Sequence, residues 1–138
     1  MHRTLSLLAA LLLVLAGCAQ TGTTSGPSSP APSGDVVVDG VSILGVWNAV
    51  GALDESDVDA DLRNGMLSRT LVINPRGRVV LTGEDARAGT GRESFEGRIS
   101  GNRLTFEQLP GAATIAVRND GRLVLTDPRG NRTVYERD

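Results

Sequence analysis

Two segments of this chain are closely similar: residues 70–82 have the sequence TLVINPRGRVVLT, and residues 114–126 have the sequence TIAVRNDGRLVLT. The segments align without gaps, and in each an apolar run is interrupted by a turn sequence that ends in Gly77 or Gly121. Alternation of apolar and polar residues over short runs predicts β-strands with one buried face. The similarity can reflect a duplication, but the interpretation we favour is that both segments form a tight antiparallel hairpin.

The turn sequences support a chain of such hairpins. Asn74-Pro75-Arg76-Gly77 has Asn at the first turn position, Pro at the second and Gly at the fourth, a pattern typical of a type I turn followed by a left-handed glycine. Residues 118–121 and 127–130 fit the same pattern, and residues 100–102 form a shorter turn. The sequence therefore predicts an all-β fold, a small antiparallel meander barrel of about eight strands. The expected strands lie near residues 43–51, 69–74, 78–83, 93–99, 103–108, 113–118, 122–126 and 131–136.

Alternation along these strands assigns their two faces. The residues expected to point inward are Leu71, Ile73, Val79, Leu81, Phe95, Gly97, Ile99, Leu104, Phe106, Ile115, Val117, Leu123 and Leu125. Those expected to point toward water are Thr70, Arg78, Glu96, Arg98, Arg103, Glu107, Arg118 and Arg122. In the last strand the turn geometry places Thr133, Tyr135 and Arg137 on the inner face.

The N-terminus has the pattern of an export signal. His2 and Arg3 precede an almost unbroken apolar run from Leu5 to Leu15, which is shorter than the roughly 20 residues that span a bilayer. The run ends in Leu15-Ala16-Gly17-Cys18, which resembles the bacterial lipobox. That resemblance implies a signal peptide at residues 1–17, cleavage before Cys18, and acylation of the Cys18 sulfur and α-amine.

The rest of the chain is consistent with a lipid anchor. Cys18 is the only cysteine and has no disulfide partner within the chain. Residues 18–35 are mostly Gly, Ser, Thr, Pro and Ala, which predicts a disordered tether before a folded domain at residues 36–138. If the cell is Gram-negative, Ala19 favours the periplasmic side of the outer membrane; otherwise we expect the outer face of the cytoplasmic membrane.

Gly45-Val46-Trp47 lies near the start of the first predicted barrel strand. A Gly-x-Trp at this position, followed by a meander of about eight strands, resembles the lipocalin and lipocalin-like barrels. The resemblance spans roughly residues 42–138. It implies that Trp47 closes one end of the barrel against a basic side chain of the last strand, for which Arg137 is the candidate. Core packing is the favoured role of Trp47, and direct ligand contact is the alternative.

The strands predicted here, of five or six residues, are shorter than those typical of lipocalins. An eight-stranded barrel is just wide enough to be filled by side chains or to hold one small ligand. The predicted inner face carries many large apolar residues, so we expect a largely filled barrel. If there is a cavity, its mouth is expected near residues 84–92, where small residues and glycines favour a flexible loop.

The composition excludes several kinds of chemistry. The chain has no lysine, and its one histidine, His2, leaves with the signal peptide. Ser-His-Asp and Cys-His nucleophilic sites, His/Cys zinc sites and lysine Schiff bases are therefore not expected. A hydrolase that works with a pair of facing carboxylates is the alternative that stays open. The pattern does not place two carboxylates on the inner face, so we predict a protein without enzymatic activity. The slightly acidic balance, with 16 acidic and 14 basic residues, argues against nucleic acid as a partner.

The densest acidic run is residues 54–61, DESDVDAD. Asp57, Asp59 and Asp61 match the first spacings of a calcium loop, but Leu62 and Ser68 replace its required Gly and Glu. We therefore predict no metal site and no cofactor. The run is expected to be a solvated loop or a short helix that ends at Gly65.

These patterns give two functional hypotheses. The first is a membrane-anchored binding module at the cell envelope, with a small apolar ligand or an envelope protein as its partner; the outward Arg and Glu residues offer a possible docking face. The second is a solid-core structural or assembly lipoprotein. An inward cavity of roughly 300 Å³ or more would favour the first hypothesis.

Overall fold

Eight antiparallel strands close into a barrel in the computed structural model, which describes residues 34–138. The predicted signal peptide, Cys18 and nearly all of the predicted tether lie outside the described residues. The strands that form the barrel, in chain order, are β3 (Gly45–Ala52), β4 (Leu67–Ile73), β5 (Arg78–Asp85), β6 (Thr90–Ser100), β7 (Arg103–Phe106), β8 (Ala112–Val117), β9 (Leu123–Thr126) and β10 (Arg132–Arg137). Before them lies a short hairpin of β1 (Val37–Val38) and β2 (Val41–Ser42), and the helix α1 (Ser56–Arg63) connects β3 to β4. The all-β meander predicted from the sequence is confirmed.

Consecutive strands are neighbours throughout, and pairing of β10 with β3 closes the barrel. Tyr135 pairs with Ala49 and Val134 with Gly51, so Val50 is an extra residue in β3. Such a bulge increases the local twist of a strand. It also reverses the alternation in the last residues of β3.

The three predicted four-residue turns form with the expected hydrogen bonds. In the first turn the amide of Gly77 donates to the carbonyl of Asn74 at 3.0 Å, and the φ of Gly77 is +70°. The side chain of Asn74 accepts from the amides of Arg76 and Arg78, both at 3.0 Å. The turns that end in Gly121 and Gly130 repeat the backbone bond and the positive φ. The internal similarity therefore corresponds to two hairpins with the same turn.

Most of the predicted inward residues form one contiguous core. Leu71, Leu104 and Leu123 are fully buried, and the rest of the buried cluster includes Trp47, Ile73, Val79, Phe106, Ile115, Leu125 and Tyr135. Four predicted inward residues are only half-buried: Leu81, Phe95, Ile99 and Val117.

Gly97 occupies an inward position because no side chain fits there. A Cβ atom on Gly97 would overlap the carbonyl oxygen of Thr105 and lie 2.7 Å from Cδ1 of Phe106. The absence of a side chain allows β6 and β7 to approach each other beside the Phe106 ring.

The predicted lengths of β5 and β6 were wrong. β5 has eight residues, and β6 has eleven and begins at Thr90 instead of near residue 93. Asp85 pairs with Thr90, so cross-strand pairing continues into the segment that the sequence analysis treated as a loop. β7 and β9, by contrast, have only four residues each.

The acidic run contains a helix, which was one of the two forms predicted for it. α1 ends where the amide of Asn64 donates to the carbonyl of Ala60, and Gly65 follows with a φ of +71°. The helix packs against β3, and its residue Leu62 is buried. Among residues 34–138, no helix combines the length and the apolar character needed to cross a membrane.

Candidate functional site

One end of the barrel is closed around Trp47, which is 1% exposed. The indole Nε1 of Trp47 donates a hydrogen bond to the carbonyl of Ile43 at 2.9 Å. The Cζ atom of Arg137 lies 4.5 Å from the centroid of the Trp47 ring, so the contact predicted between these two residues is present. An Arg on an indole face contributes about 0.5–2 kcal/mol, depending on how well the pair is shielded from water.

Arg137 also holds the segment that leads into the barrel. Its Nη1 donates to the carbonyl of Leu44 at 3.0 Å, and its Nη2 donates to the carbonyl of Ser42 at 2.8 Å. Gly45 has a φ of +122°, a conformation that side chains disfavour, and a Cβ atom there would lie 3.7 Å from Nη1 of Arg137. Gly45, Trp47 and Arg137 thus meet at one end, and Trp47 has the core-packing role favoured from the sequence.

A small hairpin that sequence reasoning missed covers this closed end. Asp39, with a φ of +51°, is in its turn, and its Oδ2 accepts from the amide of Val117 at 2.9 Å. Val38, within the hairpin, and Ile43, just after it, are both buried. The pair Asp39-Gly40, preceded by three valines and followed by Val41, was the available signal, since Asp-Gly favours a two-residue hairpin turn.

The opposite end of the barrel opens into a cleft with a volume of about 510 Å³. Its apolar wall comes from β4, β5, β6 and the loop after β7. The apolar lining residues are Leu67, Leu81, Phe95 and Leu109, and the polar and glycine residues are Arg69, Gly83, Glu84, Asp85, Thr90, Gly91 and Glu93. The position matches the predicted mouth near residues 84–92, but the expectation of a largely filled barrel is wrong for this half.

The cleft exists because the strands around it have unequal lengths. β7 ends at Phe106, whereas the β5–β6 hairpin continues beyond it to the Asp85–Thr90 pair. Leu81 and Phe95, which pair across that hairpin, therefore have fewer neighbours than Leu71 and Leu104 and remain half-buried. A row of strands of equal length would have covered them.

An arginine lies on the inner face at the cleft. Arg69 alternates with Leu67 and Leu71 in β4, and in the register it lies opposite Gly83, which in turn lies opposite Glu93. None of the ion pairs within residues 34–138 involves Arg69 or Glu93. Sequence reasoning missed Arg69, although its alternation with Leu71 was the signal that could have found it.

The cleft also contains more carboxylates than predicted. No pair of inward carboxylates was predicted from the sequence. In the structure, Glu84, Asp85 and Glu93 all line the cleft. Asp85 serves the β5–β6 turn, because its Oδ1 accepts from the amides of Arg87 at 2.9 Å and Ala88 at 3.2 Å. With three acidic residues and one arginine, the lining is acidic overall.

Three carboxylates of the acidic run before and within α1 make structural contacts. The guanidinium of Arg132 donates hydrogen bonds of 2.7 and 2.9 Å to the carboxylate of Asp54. Because these bonds stabilise the charged form of Asp54, they lower its pKa. Asp59 accepts from the amide of Ala52, and Asp61 forms an ion pair with Arg87 at 2.7 Å. Across the described part of the chain, no three His, Cys, Asp or Glu side chains are grouped to hold a metal ion.

On the outer face, oppositely charged side chains of neighbouring strands pair in places. Arg78 lies 2.8 Å from Glu96 and Arg122 lies 3.4 Å from Glu136, and all four side chains are largely exposed. Exposed pairs of this kind contribute little to stability. They describe a solvated sheet surface and mark no particular site.

Comparison of the chain with protein-family models, with curated proteins and with solved structures gave no match.

The closed end yields a prediction about stability. Trp47→Ala removes a fully buried ring, its hydrogen bond to Ile43 and the surface on which Arg137 stacks. We expect a loss of about 3–5 kcal/mol in the free energy of unfolding, measured by denaturant titration. Val46→Ala is the matched control, because Val46 is next in the chain and exposed. Similar small losses in both variants would contradict the closing role of Trp47.

The chain has a single tyrosine, so its ionisation can be followed directly by ultraviolet absorbance. Burial raises the pKa of Tyr135 to about 12, although the positive charge of Arg69 acts in the opposite direction. Because the folded pKa exceeds the unfolded value, the stabilisation that comes from keeping Tyr135 neutral is complete below about pH 10 and is lost as the pH rises toward the folded pKa. We expect tyrosinate absorbance to appear only in this higher range and together with unfolding. Ionisation at the ordinary tyrosine pKa without unfolding would show that Tyr135 is accessible to solvent.

Proposed function

We propose that this protein is a lipid-anchored, non-enzymatic binding module of the cell envelope, whose open-end cleft receives an apolar group of a ligand or a protein partner. The observation that carries this proposal is the pairing of a tightly closed end with a cleft of about 510 Å³ at the other end. Ligand sites commonly have volumes of about 300–1,000 Å³ and combine apolar walls with a few polar groups. The cleft has both properties, which favours binding over the alternative of a solid-core structural lipoprotein.

The resemblance to lipocalin-like barrels supports the same proposal. Gly45, Trp47 and Arg137 come together at the closed end, as that resemblance implies for its motif residues. This motif has only three residues, and the cleft gives the stronger support for a binding function.

The anchor is proposed from the sequence of residues 15–18 and from the single cysteine. Ile43 and the hairpin before it lie at the closed end, so the folded domain joins the predicted tether at the end opposite the cleft. If the cell is Gram-negative, Ala19 favours the periplasmic side of the outer membrane as the location of the anchor.

Binding without catalysis is proposed because the reactive residue types are few. The chain has no lysine, and the proposed cleavage removes His2. Of the three carboxylates of the cleft, Asp85 is held by two backbone amides of its own turn. Glu84 and Glu93 supply charge to the mouth of an otherwise apolar cleft.

The anchor is tested by substitution of the proposed acylation site. Cys18→Ala should move the exported protein from the membrane fraction to the soluble fraction, because the thioether cannot form. Mass spectrometry of the purified wild-type protein should show acyl chains on residue 18, and the same measurement reports any small molecule that purifies with it. Membrane association of Cys18→Ala equal to that of the wild type would contradict the lipid anchor.

The cleft is tested with an apolar naphthylamine dye, whose fluorescence rises when it leaves water. The wild-type domain should enhance the fluorescence, and Gly83→Phe should abolish the enhancement by filling the cleft. A Cβ atom at Gly83 meets only the carbonyl oxygen of Ser68, at an ordinary distance of 3.8 Å. The matched control is Thr82→Phe, which places the same ring on the opposite face of β5. Equal enhancement by both variants would show that the dye binds elsewhere.

A further inference from the structure

We infer that the exposed edge of β6, beside the cleft, accepts an extended segment of another envelope protein as an added β-strand. The inference rests on the proposed binding function of the cleft and specifies its occupant. The segment it fits carries an apolar residue and, two positions away on the same face, a basic residue.

The edge is free because β6 is much longer than its neighbour β7. Pairing between these strands covers only Gly97 to Ser100 of β6, and the last bond on that side is donated by the amide of Glu107 to the carbonyl of Glu96 at 3.0 Å. From Ser94 back to Thr90, β6 is paired with β5 alone and is exposed. Among residues 34–138, no other segment pairs with this stretch from the β7 side.

Alternation of the backbone identifies the groups that face the vacant side. Successive residues of a strand direct their N–H and C=O groups to opposite neighbours. Since Glu96 directs its carbonyl toward the β7 side, Ser94 directs both its N–H and its C=O to the same side. These groups form the template on which an extended chain pairs in β-strand addition.

The side chains beside this edge define what the added strand must carry. On the inner face of β6, Phe95 and Glu93 are consecutive, and both line the cleft. Directly opposite side chains on paired strands interact, and opposite charges are favourable there. The added strand therefore places an apolar side chain beside Phe95 and Leu109, and a basic side chain beside Glu93.

The charge of the cleft agrees with a basic segment. Its lining has Glu84, Asp85 and Glu93 against the single charge of Arg69. A positive side chain entering the mouth reduces this excess, whereas an acidic one increases it.

A second copy of this chain fits the edge less well. Antiparallel pairing of two β6 edges that sets Ser94 opposite the second copy's Arg92 places the two Glu93 side chains opposite each other. The register that sets the two Ser94 residues opposite each other places each Glu93 opposite Phe95, so neither register supplies a basic side chain to Glu93. Like charges in directly opposite positions destabilise a sheet. The register of β6 also shifts between the Glu93 and Thr90 pairs, and such bulges and charged residues limit indiscriminate edge pairing. The side chains of Phe95 and Glu93 therefore favour a segment that carries an apolar and a basic residue.

The probe is a labelled peptide, Thr-Leu-Thr-Arg-Thr-Leu-Thr, whose leucines and arginine share one face in a strand. Binding to the full folded domain is measured by fluorescence anisotropy, and protection of the Ser94 amide is measured by hydrogen exchange. Two control peptides are used: one has Glu in place of Arg, and the other has methyl groups on alternate backbone nitrogens. We expect binding and protection of the Ser94 amide with the arginine peptide only. The Glu peptide reverses the charge beside Glu93, and the N-methylated peptide cannot donate hydrogen bonds to the β6 edge.

Protein variants test the same contacts from the other side. Ser94→Pro removes the free N–H without touching a bond to β5, and edge positions tolerate Pro. It should weaken peptide binding by about tenfold, the expected effect of losing one backbone hydrogen bond. Ser94→Val changes the outward side chain but keeps the N–H, so it should bind the peptide more tightly than Ser94→Pro does. Glu93→Arg should reverse the preference and bind the Glu peptide.

Each outcome has a defined meaning. If the N-methylated peptide binds as tightly as the arginine peptide, the added-strand inference is overturned. An unchanged affinity of a folded Ser94→Pro variant for the arginine peptide would also overturn it. If Ser94→Pro does not fold, the N-methylated peptide provides the test on the wild-type protein. A dimer of the wild type that Ser94→Pro dissociates in sedimentation would assign the edge to a second copy and also overturn it. If no peptide binds while the naphthylamine dye still enters the cleft, only this inference fails. If neither binds, the proposed function fails with it.

Discussion

The pairing between the first and last barrel strands is the constraint on which the rest of the structure depends. β3 and β10 are separated by almost the entire domain in sequence, and their pairing removes the two edges that an open meander would expose. At the end of this seam Arg137 stacks on Trp47 and donates to the carbonyls of Ser42 and Leu44. One side chain thereby joins the last strand, the buried ring and the segment that leads into β3.

Closure at one end makes the asymmetry of the barrel possible. The closed half has its inner face filled by large apolar residues, with Leu71, Leu104 and Leu123 fully buried. The long β5–β6 hairpin is supported by that half but continues beyond the short β7. The same difference in strand length produces the cleft between Phe95 and Leu109 and the unpaired edge at Ser94. The cleft and the unpaired edge thus have one geometric cause.

The distribution of charge follows the same division. Three acids around α1 have partners: Asp54 pairs with Arg132, Asp59 with Arg63 and the amide of Ala52, and Asp61 with Arg87. Arg69 and Glu93, by contrast, form no ion pair within the described residues, and both lie in the cleft lining. The paired charges around α1 therefore lie close together, whereas these two charges of the cleft have no such partner in the described part of the chain.

The sequence alone determined the features that depend on local geometry. Alternation assigned the faces, and the Asn-Pro-Arg-Gly type of turn set the registers through the left-handed glycine. That parity was enough to place Tyr135 and Arg137 on the inner face, and the resemblance to lipocalin-like barrels then implied that Arg137 is the partner of Trp47. Tertiary structure decided the features that depend on distant strands. Whether β6 continues past residue 93 depends on its pairing with β5, and whether Phe95 is covered depends on where β7 ends. No local pattern encodes the difference in length between two neighbouring strands, which is why the volume of the cleft and the exposed edge of Ser94 became visible only when the barrel was assembled.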